Sequence, residues 1–69
     1  MQFLKVTDRA KVMKGINSII PIGDLLNETV PLRETHEGWY EVDVRQHARF
    51  PDFRKVGFVE KAEGMTVSY

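Results

Sequence analysis

Cysteine is missing from the 69-residue chain, which removes a disulfide framework and a thiolate zinc site together. A chain this short buries only about 60% of its unfolded surface, so its thin core must hold by packing and sheet hydrogen bonds. Long apolar runs are missing too: the longest, Ile19-Ile20-Pro21-Ile22, has four residues, against the roughly 20 that span a bilayer. There is no basic-then-apolar export signal, so a membrane partner is not expected and the compartment stays open. Charge of one sign is also lacking. Ten Lys and Arg offset ten Asp and Glu, whereas nucleic-acid binding draws most of its affinity from a basic surface. No nucleic-acid partner is expected.

The catalytic inventory is poor. No cysteine nucleophile and no Gly-x-Ser-x-Gly elbow accompanies either histidine. His36 lies in a Glu34-Thr35-His36-Glu37 turn and His47 stands eleven residues further on, with no carboxylate or thiolate pattern around the pair. The chain therefore reads as a non-enzyme with neither metal nor cofactor.

What is present is strand chemistry. Phe3–Val6, Ala10–Met13, Thr29–Leu32, Trp39–Val44 and Lys55–Val59 are short, rich in β-branched or aromatic residues, and partly alternating. Asp8, Gly15, Asn17, Gly23, Asn27, Gly38 and Pro51-Asp52 punctuate them at the spacing of a meander. Asp24–Glu28 is too short for a helix and reads as a turn or a 3₁₀ loop. With no linker and no repeat, residues 1–69 form one expected domain, all-β in class. Alternation in the best-defined strand places Tyr40, Val42 and Val44 on the core face. Trp39, Glu41 and Asp43 then share the outer face, where the only tryptophan needs a neighbour to cover it or a ligand to stack on it.

Four segments in order carry a family resemblance: Ala10-Lys11-Val12-Met13-Lys14-Gly15-Ile16, then Ile22-Gly23-Asp24-Leu25-Leu26-Asn27-Glu28-Thr29-Val30-Pro31-Leu32, then Gly38-Trp39-Tyr40-Glu41-Val42, then Gly57-Phe58-Val59. Over roughly residues 4 to 60 the chain resembles the bacterial SH3-like domains. The resemblance implies a small barrel of five to six short antiparallel strands. It also implies a ligand groove lined by Trp39 beside the loop that follows the first strand. Met13 and Ile16 replace the family's Arg and Pro, which puts in doubt any binding role of that Arg. Glu28 stands at the usual turn glycine, where Asn27 can take the left-handed conformation instead. Phe58 replaces a Trp at what reads as a hydrophobic core position.

The largest departure is the stretch from Asp43 to Val56, about twice the family's length, which implies one elongated hairpin. Between Arg45 and Lys55, the residues Arg45, Arg49, Arg54 and Lys55 oppose a single Asp52. Phe50 and Phe53 flank the expected Pro51-Asp52 tip, in the aromatic-with-arginine composition of interface anchors. Candidate ligand contacts are therefore Trp39, Glu41, Asp43, Arg49, Phe50 and Phe53. Their bland counterparts are packing of the aromatics over the barrel and a solvated, aggregation-resistant face for the charges.

The first expectation is a monomeric, non-catalytic module that binds a peptidoglycan peptide and holds a bacterial or phage wall hydrolase on the cell wall. A protein-interaction module taking an extended peptide is the alternative, and the methionine directly before the first strand, with no export signal, favours it. A structural domain of a larger assembly is the third.

Overall fold

Strand alternation dictates the architecture. In the computed structural model of the protein, residues 1–45 and 56–69 are described, and they form seven strands: β1 Gln2–Val6, β2 Ala10–Met13, β3 Pro21–Leu25, β4 Glu28–His36, β5 Trp39–Asp43, β6 Val56–Glu60 and β7 Met65–Ser68. All pairings are antiparallel in one sheet of order β3-β2-β6-β5-β4-β1-β7. No helix long and apolar enough to cross a membrane occurs among the described residues.

The organising piece is a bent ribbon. β1 pairs with β4 through Val6↔Glu28, and β2 pairs with β3 from Ala10↔Leu25 onward. Two continuous chain segments therefore run side by side through a bend at residues 7–9 and 26–27. Asn27 turns the second segment with φ of +52°, a left-handed conformation that asparagine tolerates, and the Leu26 amide donates to Glu28 Oε2 at 3.1 Å. Leu25 and Glu28 span at most about 11 Å of extended chain. In a flat sheet the four strand steps between β3 and β4 would cover about 19 Å. The sheet must therefore curl, and the β5–β6 hairpin bridges the two arms of the ribbon by pairing with β4 and β2.

Curling does not close the sheet. β1 and β2 follow each other along the chain instead of lying side by side, and β3 and β7 remain as edges. The expected closed barrel of five to six strands is thus corrected to an open, curled sheet of seven. The two added strands are β3, which Pro21 and Gly23 disguise, and β7, a single alternating tetrapeptide. Among the described residues the β5–β6 ladder ends at Asp43↔Val56; the expected long hairpin beyond it falls on residues 46–55, outside the described residues.

Inside the curl lie Leu4, Val6, Ala10, Val12, Leu25, Val30, Leu32, Val42, Val44 and Val59, with Ile22, Tyr40, Met65 and Val67 packed against them. The core face read from β5 is therefore the observed one. Each fully buried Val or Leu contributes about 1.5–3 kcal/mol of transfer free energy. Gly57 is buried on β6, which pairs with β2. Phe58, expected in the core, instead shares the outer face: it pairs with Glu41 and Met13, because the inward positions of β6 are Gly57 and Val59.

Candidate functional site

A cleft of about 440 Å³ opens beside Trp39. Its apolar lining comes from Ala10, Met13, Trp39, Val59, Ala62 and Met65. Its rim carries both signs of charge: Arg9 and Lys11 on the side of β2, Glu60 and Glu63 where β6 gives way to β7, and Asp8 on the bend. Main-chain bonds hold these walls. The Thr7 amide and hydroxyl both donate to the Gly64 carbonyl at 2.9 Å, pinning the turn before β7 to the bend of the ribbon. The Lys61 amide donates to the Gly38 carbonyl at 3.0 Å, fixing the end of β6 to the turn before Trp39. Lys61 Nζ also lies over the Tyr40 ring, 5.2 Å from its centroid.

Trp39 is half-buried between its cross-strand neighbours His36 and Glu60. Of the six candidate contacts, it alone among the described ones lines this cleft. Arg49, Phe50 and Phe53 lie outside the described residues. Glu41 and Asp43 occupy the outer face as alternation requires, yet both are engaged within the chain. Glu41 Oε1 lies 2.9 Å from His36 Nε2, and its Oε2 accepts from Arg33 Nε at 3.3 Å. Asp43 accepts from the Arg45 amide at 2.9 Å and from the guanidinium at 2.6 Å.

The Arg45 hydrogen bonds hold the Asp43 carboxyl below its ordinary range, partly opposed by desolvation. A carboxyl with a lowered folded pKa stabilises the fold above its unfolded pKa, and that contribution disappears as pH falls through the lowered folded value. Arg45→Ala is therefore expected to lower the urea midpoint at pH 7, with the difference from wild type shrinking at acid pH as Asp43 becomes protonated. An equal loss at pH 7 and at acid pH would place the effect in packing and not in the carboxylate.

Sequence reasoning missed the charged rim and the methionines. Met13 had a signal, since it stands where the resembling family carries Arg, and here it supplies apolar lining. Met65 had only the alternation of Met65-Thr66-Val67-Ser68. A second grouping, not read from the sequence, lies outside the cleft: Glu34, His36 and Glu41 present ligand atoms all within 4.8 Å of one another. The partners come partly from across the β4–β5 pair, where spacing along the chain does not reveal them. Compared with protein-family models, curated proteins and solved structures, the chain matches none.

Proposed function

We propose that this chain is a non-catalytic binding module whose Trp39 cleft takes an extended peptide bearing both amino and carboxylate groups, a cell-wall peptidoglycan peptide first among them. The observation that carries the reading is the cleft itself: an indole and two methionines under a rim that carries both cations and carboxylates. Such a rim complements a zwitterionic chain, a carboxylate meeting Arg9 or Lys11 and an ammonium meeting Glu60 or Glu63. The resemblance to bacterial SH3-like domains supports it, since Trp39 lies beside the loop after the first strand. A bent ribbon bridged by a hairpin is in keeping with the finer SH3-like assignment, which belongs to the same proposal. The role of holding a wall hydrolase on its substrate follows from that resemblance.

A second reading, a protein-interaction module, is favoured by one observation. β7 is an edge strand whose first residue, Met65, lines the cleft, so an extended protein segment can add to the sheet there.

Trp39→Ala separates binding from packing. Retention on purified cell wall and titration with soluble wall peptides are expected to fall about tenfold or more, the scale of a lost aromatic anchor, while the melting temperature moves by only a few degrees. Failure of the wild-type chain to bind either material would overturn the wall reading. A melting temperature that collapses in the variant would make Trp39 a packing residue.

A further inference from the structure

We infer that Glu34, His36 and Glu41, none of which lines the cleft, form a binding site on the outer face for a borderline divalent transition ion such as Zn²⁺. The β4–β5 register pairs Glu34 with Glu41, and His36 follows two residues along the same strand face. The three side chains therefore converge. His36 Nε2 stands 2.9 Å from Glu41 Oε1 and 3.9 Å from Glu34 Oε2. An ion with bonds of about 2.0–2.1 Å keeps neighbouring ligand atoms about 3.0–3.4 Å apart. His36 and Glu41 already sit near that separation, and Glu34, whose side chain is 67% exposed, needs to swing by about 1 Å.

The donor set names the class of ion. One imidazole nitrogen with two carboxylate oxygens suits zinc and its neighbours, whereas calcium and magnesium prefer oxygen alone. Two carboxylates and a neutral imidazole also balance a divalent charge. The surroundings hold two ligands in place. Arg33 grips the second oxygen of Glu41, the outer support that ligating carboxylates commonly have. Phe58 tilts against the imidazole, with ring centroids 6.1 Å apart. Glu41 is only 17% exposed, so its carboxylate is partly desolvated. Water completes the coordination on the solvent side.

Zinc chloride titrated calorimetrically into the metal-free chain tests this, with ¹⁵N imidazole NMR spectra recorded alongside. One ion per chain is expected, with the His36 Nε2 resonance moving on saturation. His36→Ala and Glu34→Gln are each expected to weaken binding by about tenfold or more, and His47→Ala to leave it unchanged. Magnesium chloride at the same concentrations is expected to give no saturable heat. No saturable zinc binding up to millimolar concentration overturns the site, as does unchanged affinity in His36→Ala or loss of binding in His47→Ala. Should His36→Ala fail to fold by circular dichroism, a wild-type His36 resonance that zinc does not move overturns it equally.

Discussion

Gly57→Ala is expected to cost about 3 kcal/mol, at the upper end of the overpacking range, and to lower the melting temperature by more than about 10 °C. A Cβ at this position is driven into Val12 Cγ1 and brought to 3.5 Å from Ile22 Cδ1. The Ile22 contact is an ordinary one, but Val12 does not give way easily. Val12 is fully buried and its branched side chain has few rotamers, while β6 is held by pairing with both β2 and β5. The glycine is there because the Val12 side chain fills the space that a Cβ would take, and not to supply a turn. Thermal unfolding of Gly57→Ala, Val12→Ala and the double variant checks this. Val12→Ala alone opens a cavity, but in the Gly57→Ala background it removes the colliding atom. The double variant is expected to be more stable than the sum of the two single losses implies. Strict additivity, or an unchanged melting temperature in Gly57→Ala, would count against the collision with Val12.

Leu25→Ala is expected to cost about 2–5 kcal/mol, the range for emptying a buried leucine site. A chain of this length has a total stability of only about 3–10 kcal/mol, so the variant loses between about a fifth of it and all of it. Leu25 is fully buried and pairs with Ala10 next to the bend of the ribbon. With alanine already opposite, the site has little side-chain volume with which to fill the space. The adjacent Leu26 is the control. It is 42% exposed, and Leu26→Ala is expected to change stability by less than about 0.5 kcal/mol. Urea titrations of both variants measure the contrast; similar losses at the two positions would show that the inward register of β3 is misassigned.

The parts of this fold legible in the sequence are those where one strand carries its own pattern. Tyr40-Glu41-Val42-Asp43-Val44 alternates strongly enough to orient itself, and Asn27 is a residue type that can turn left-handed where Glu28 cannot. Trp39 beside the first loop was legible through resemblance. The strand β3 was not, because Pro21 and Gly23 are turn residues that an edge strand tolerates. Nor was the His36 cluster, and the reason is a single irregularity. The register shifts by one between Leu32 and Glu34. Continued without that shift, the ladder from Leu32↔Val42 would set Arg33 opposite Glu41 and Glu34 opposite Tyr40. The extra residue carries Glu34 and His36 over to the face of Glu41. No side chain in the sequence announces the bulge.

The pairing of β1 with β7 sets an order of assembly. The ribbon joins segments within residues 2–32 and the β5–β6 hairpin lies within residues 39–60, so both form from comparatively local contacts. Phe3↔Ser68 joins residues from opposite ends of the chain, and its loop-closure entropy is met only once the intervening sheet has shortened the path between them. β1 is thus half-satisfied early, by β4, and receives its second neighbour last. Until β7 is in place, the outer row of β1 amides and carbonyls is open to water or to any other extended segment, so the docking of β7 is what protects the first strand.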